Sequence, residues 1–222
     1  QGRLRDCLSL WQTAIRKCSL VIFPCFALFL PLSRDLMVLL YGEAYAAAAG
    51  PFAVYLLALP LRVAVYATLF RAMGKTRPIA WAGVLALVIN VAVSTALVLV
   101  GRGTYLAFIG PSFGTVLSDF VAGAYLLYCL RGEFNIGIRK LMRWGELGRT
   151  FLLCGVAGIA IYLMALFALP PLPVPVKLGV QTVVFLAILV TAFLATGHLS
   201  RDERDLLWAP VRVARRALQD RG

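Results

Sequence analysis

The chain has 222 residues, 61% hydrophobic and 14% charged, with 22 Lys and Arg against 10 Asp and Glu for a formal net charge of +12. Soluble globular domains use about 45–50% apolar residues, so this composition and a mean hydropathy of +0.87 exclude an ordinary soluble domain and indicate an integral membrane protein. Long continuous apolar runs exclude a transmembrane barrel, whose strands alternate with period two. The basic excess reads as loop charge beside anionic lipid rather than as a nucleic-acid surface.

Residues 1–17 contain the basic amphipathic stretch GRLRDCLSLWQTAIRK, expected to be a cytoplasmic entry segment. It has no signal-peptide pattern and opens Gln-Gly rather than with Met, which reads as part of a longer protein. Residues 18–130 then hold four of six candidate spans, each near the ~20 apolar residues that a crossing helix needs. The first runs from Cys18 to about Tyr41, interrupted by Ser33-Arg34-Asp35, where a local Arg34–Asp35 pair at the outer interface is expected. The second runs from Pro51 to Met73, the third from Ile79 to Val100 and the fourth from Thr104 to Leu130. Residues 131–149 form a basic loop, residues 150–197 hold the last pair of spans (Thr150–Leu169 and Val174–Thr196), and residues 198–222 are a basic tail. The stretches FNIGIRKLMRWGEL and LLWAPVRVARRAL are amphipathic and are expected in the cytoplasmic interface.

The connections alternate in charge. The entry segment, second loop, fourth loop and tail carry nearly all the bases, and the opposite side holds only Arg34, Arg102 and Lys177. The positive-inside rule therefore puts both termini in the cytoplasm, as an even number of spans requires. The predicted fold class is all-α: a polytopic membrane protein with six transmembrane helices.

Polar side chains inside spans are where function is expected. Arg62 lies in the second span, with Tyr55 one heptad before it and Tyr66 four residues after it, on one face of a continuous helix. A guanidinium suits phosphate through bidentate donation, and aromatic rings suit sugar faces and cations. Pro60 marks a place where that helix can kink. The third span supplies Asn90 and Ser94, one turn apart. The fourth carries a small-residue stripe, Gly110, Gly114, Ser118 and Ala122, suited to close helix approach. Beside it runs a polar stripe of Ser112, Thr115 and Asp119, and Asp119 is the deepest carboxylate of any span. Arg62, Tyr55, Tyr66 and Asn90 are therefore candidate substrate contacts, and Asp119 is a candidate ion-coupling or ion-pairing carboxylate. The competing structural reading pairs Arg62 with Asp119 and makes Asn90 an interhelical bond.

The only histidine, His198, stands alone, and the five cysteines lack CxxC or metal-ligand spacing. No Walker A sequence, Rossmann fingerprint or nucleophile–base pair is visible. No cofactor, metal, catalytic residue or enzymatic activity is expected.

The order LMVLLYGEAYAAAAGPFAVYLLALPLRVAVYATLFRAMGKTR, a span carrying INVAVS, and then GPSFGTVLSDFVAGAYLLYCLR resembles the polysaccharide flippases. These are the O-antigen and exopolysaccharide translocases of the multidrug/oligosaccharidyl-lipid/polysaccharide exporter superfamily. The resemblance lies in order, spacing and topology over about residues 1–200. It implies the C-terminal part of a two-lobe transporter of about 12–14 helices working by alternating access, in the bacterial cytoplasmic (inner) membrane. The implied substrate is an undecaprenyl-pyrophosphate-linked oligosaccharide repeat unit for surface polysaccharide or lipopolysaccharide. The implied partners are the bilayer, an N-terminal lobe of the same protein and polysaccharide polymerase machinery. Competing assignments are a lipid II flippase or a cation-coupled multidrug antiporter of the same superfamily, a six-span membrane enzyme, and a structural membrane subunit. The sparse acids and single histidine argue against the enzyme.

Overall fold

The computed structural model describes residues 2–167 and 173–197, with residues 2–5 by backbone alone. His198 and the basic tail lie outside the described residues. Within them every regular element is helical, and six helical segments are long and apolar enough to cross a membrane. That outcome follows from the bilayer, where backbone N–H and C=O groups find no water and must be satisfied within the segment.

The first span begins earlier than the sequence pattern suggests. Helix α1 runs without interruption over Gly2–Phe29, its spanning part is Asp6–Phe29, and α2 (Ser33–Tyr41) is a separate short helix. The reason is a buried stripe at four-residue spacing: Trp11, Ile15, Ser19, Phe23 and Ala27. The amphipathic entry segment is therefore the first half of a packed helix. The second span, Glu43–Ala72, is built of pieces: a 3-10 turn (Glu43–Ala48), α3 (Ala49–Leu56), α4 (Leu59–Arg62) and α5 (Tyr66–Ala72). The remaining spans are α6 (Arg77–Val100), α7 (Tyr105–Phe134), α9 (Trp144–Phe167) and α10 (Val174–Ala195), within a few residues of expectation except that α9 starts early.

Two helix groups are joined by the broken span. Helix α9 packs on α1 and α10, and α7 packs on α6 and α3, while α4 and α5 touch both α1 and α7. Close approach depends on small residues, as expected where no hydrophobic driving force separates helix from lipid. A Cβ on Gly158 of α9 would lie 2.6 Å from the Ala27 carbonyl oxygen of α1. A Cβ on Gly114 of α7 would collide with Ser94 Oγ of α6. The shared core includes Phe70, Leu130, Leu141, Ala157, Ile161 and Phe185.

Long-range bonds tie the loops into two ends. At one end Gln12 Nε2 donates to the Leu141 carbonyl at 2.9 Å, and Lys75 pairs with Glu133. At the other, Tyr105 Oη donates to the Ala47 carbonyl at 2.8 Å and Lys177 Nζ sits 2.8 Å from Asp35 Oδ2. The first end carries most of the described bases. The second corrects an expectation: Asp35 is paired with Lys177 of α10 rather than with its neighbour Arg34, because α2 lies against the start of α10. Residues 131–149 are built in pieces. Helix α7 runs on to Phe134, Asn135 turns the chain in a left-handed conformation, α8 is the single turn Ile138–Leu141, and Leu141 and Met142 enter the core.

Candidate functional site

The site is built on the breaks in the second span. Pro60 falls in the first turn of α4, where its missing N–H removes the bond back to the preceding turn. The chain closes instead through three-residue bonds, Leu57 N–H to the Val54 carbonyl and Ala58 N–H to the Tyr55 carbonyl, both 3.0 Å. A second break follows Arg62. Val65 has φ −76° and ψ 73°, and Tyr66 N–H donates to the Ala64 carbonyl at 2.8 Å. That is an inverse γ-turn. The Trp11 indole N–H donates to the Val65 carbonyl at 3.4 Å, which anchors the turn on α1.

These breaks overturn the expectation that Tyr55, Arg62 and Tyr66 share one continuous helical face. The three residues lie on three separate short helices. Tyr55 is exposed. Tyr66 packs into the core, its ring 6.1 Å from that of Trp11 and beside Gly123 of α7. Arg62 ends α4, and its Nη2 donates to Asp119 Oδ2 at 3.3 Å.

Asp119 lies at the middle of the 30-residue α7, roughly 21–23 Å from either end by helix rise. The pair thus lies against the middle of that helix. Both side chains are open on one flank: Arg62 is 66% exposed and Asp119 32%. A guanidinium has five N–H donors, and the bond to Asp119 is the only one that Arg62 makes among the described residues.

One turn along α7 a second polar bridge joins it to α6. Asn90 Nδ2 donates to Thr115 Oγ1 at 3.0 Å, Ser94 Oγ donates to Asn90 Oδ1 at 3.1 Å, and Thr115 Oγ1 donates to the Pro111 carbonyl at 3.0 Å. The polar stripe of α7 therefore serves two neighbours, with Thr115 facing α6 and Asp119 facing α4. Ser112 and Ser118 are also buried. Asn90 is brought near this ladder but is engaged in holding the helix pair together.

Some polar residues were not singled out by sequence reasoning. Trp11 looked like part of an amphipathic surface, yet it braces the γ-turn next to Arg62. Gln181 of α10 is fully buried, and neither its amide nitrogen nor its oxygen has a hydrogen-bond partner among the described residues. A lone glutamine in the run VKLGVQTVVF was the available signal for it. The described residues contain no group of three or more His, Cys, Asp or Glu that could hold a metal.

No family model, no curated protein and no solved structure matches this chain. What the sequence and fold establish is a multi-pass, all-helical membrane protein in which a charged pair joins the second span to the middle of the fourth.

Proposed function

We propose that this chain is part of a bacterial inner-membrane transporter that moves an undecaprenyl-pyrophosphate-linked oligosaccharide across the bilayer by alternating access. The observation that carries the reading is the Arg62 guanidinium, 66% exposed at the end of a one-turn helix and paired with the carboxylate at the middle of α7. Hydrocarbon offers no acceptor for its free N–H groups, and a lipid-facing cation at this depth costs at least ~2.5–3.5 kcal/mol. The face is therefore suited to a water-filled cavity or another protein surface. Discontinuous spans are where transporters bind anionic groups, and a guanidinium donates bidentately to phosphate oxygens. The resemblance to polysaccharide flippases supplies the substrate class, the N-terminal lobe as the opposing wall, and polymerase machinery as a partner. The bases clustered at one end favour a cytoplasmic position for both termini.

In this mechanism the pyrophosphate takes the free N–H groups of Arg62 and competes with Asp119 for the remainder. In this reading Tyr55, exposed one short helix earlier, meets a sugar. A cation antiporter is less well supported, because a carboxylate already paired with arginine holds a cation weakly.

The test is made in the protein in its native host, with Arg62→Leu and Arg62→Lys at matched membrane level. Loss of surface polysaccharide in the Leu variant, with partial activity in the Lys variant, is expected. Undiminished export by Arg62→Leu sinks the substrate role.

A further inference from the structure

At the basic end, away from the Arg62 site, the connection between α7 and α9 is a built feature. Leu141 and Met142 anchor it in the core. Gln12 Nε2 donates to the Leu141 carbonyl at 2.9 Å and to the Lys140 carbonyl at 3.3 Å, tying it to α1. The Trp144 indole N–H donates to the Ile138 carbonyl at 2.9 Å, which closes the turn on itself. The result is an open concavity of about 720 Å³ lined by Gln12, Ile138, Arg139, Lys140, Arg143 and Trp144 among others.

Its charge is unbalanced. One carboxylate, Glu146, serves two guanidiniums, Arg16 at 3.6 Å and Arg143 at 3.4 Å. Arg139 and Lys140 are exposed and pair with no carboxylate among the described residues. Trp144 and Ile138 add exposed apolar surface beside these cations. The concavity adjoins the first turn of α9, at the end of a membrane span, where tryptophan sits at headgroup level.

We propose that this concavity binds the headgroup of an anionic phospholipid. Arg139 and Lys140 meet the phosphate, Arg143 lies at the rim, and Trp144 with Ile138 lies against the upper acyl chain. Basic pockets between spans on the cytoplasmic side are suited to such headgroups, and guanidinium N–H pairs match phosphate oxygens. A soluble phosphate would use the cations alone. A lipid also uses the indole and isoleucine, so the apolar half of the lining favours the lipid. The inference is independent of what the transporter carries.

The experiment uses the full chain in bilayers and reads quenching of tryptophan emission by phospholipid brominated high on its acyl chain. Brominated phosphatidylglycerol is compared with brominated phosphatidylcholine, and Trp144→Phe separates the Trp144 signal from Trp11, Trp81 and Trp208. Phosphatidylglycerol should be preferred at Trp144, and Arg139→Gln/Lys140→Gln should lower that preference roughly thirtyfold, at about fivefold per base. The swap Arg139→Lys/Lys140→Arg should keep the preference, as should Arg102→Gln at the opposite end. Equal quenching by the two lipids overturns the proposal, as does a preference that survives the double Gln variant or disappears in the charge-keeping swap. Displacement by inorganic phosphate in the absence of any lipid preference assigns the cations to a soluble anion and likewise overturns it.

Discussion

Arg62 and Asp119 meet at 3.3 Å across the broken second span and the centre of α7. The bond joins a one-turn helix with little backbone hydrogen bonding of its own to the longest helix of the bundle. It leaves the outer side of the guanidinium open. The pair is closed on a single side, which leaves guanidinium N–H groups free to donate to another group.

Stability and transport should separate at this pair. Asp119→Asn leaves a cation without its partner and should cost about 1–3 kcal/mol, below the figure for a fully buried pair because Arg62 is exposed. Arg62→Leu/Asp119→Leu should recover most of that loss in reversible unfolding from mixed micelles, yet remain inactive in polysaccharide export. Recovery of export by the double variant would reduce the pair to a structural contact.

The α1–α9 crossing predicts a contrast between two glycines one turn apart. A Cβ at Gly158 would press on the Ala27 backbone oxygen at 2.6 Å, whereas at Gly155 it would meet nothing within 4 Å. Gly158→Ala should destabilise by about 1–3 kcal/mol as an overpacking change, and Gly155→Ala should be near neutral. Equal effects in the same unfolding assay would contradict the crossing.

The bond between Asn90 and Thr115 should be modest. A double-mutant cycle with Asn90→Ala and Thr115→Val should give a coupling of about 0.6 kcal/mol, the average for hydrogen bonds between membrane helices. If Asn90 only joins helices, Asn90→Ala should leave export intact at matched protein level. A large export defect with little loss of stability would return Asn90 to the substrate site.

The bond from Lys177 to Asp35 links α10 to α2 at the less basic end. Asp35→Lys alone should lower stability and weaken protection of α2 in hydrogen exchange. Adding Lys177→Asp should restore both, since the pair is only one-fifth exposed on each side and the reversed charges can occupy the same geometry. No rescue in the reversed pair would mean that Asp35 is held by something other than Lys177.

Much of the fold was legible because a bilayer permits few choices. Apolar length located all six spans, the glycines of α7 marked its close neighbour, and Asp119 stood out as the deep carboxylate. The errors arose where a local pattern met long-range packing. The basic entry segment carries surface-like residues, yet its Trp11–Ala27 stripe is covered by other helices. The face shared by Tyr55, Arg62 and Tyr66 assumed one regular helix, and the turn at Val65, braced by Trp11 from far along the chain, removed it. Asp35 had an adjacent arginine in sequence but found a lysine far along the chain.

The sequence by itself determined that this protein lies in a membrane, how many times the described chain can cross it, and which end of the bundle carries the bases. These follow from hydrophobic length and net loop charge, which are sums over residues and need no knowledge of neighbours. Only the tertiary structure decided which polar groups meet. Partner choice depends on helix rotation, on breaks such as those at Pro60 and Val65, and on which small residues let two backbones approach. In lipid an unpaired polar group has no solvent to fall back on, so contacts between Arg62 and Asp119 and between Asn90 and Thr115 are set by packing rather than by the residues alone.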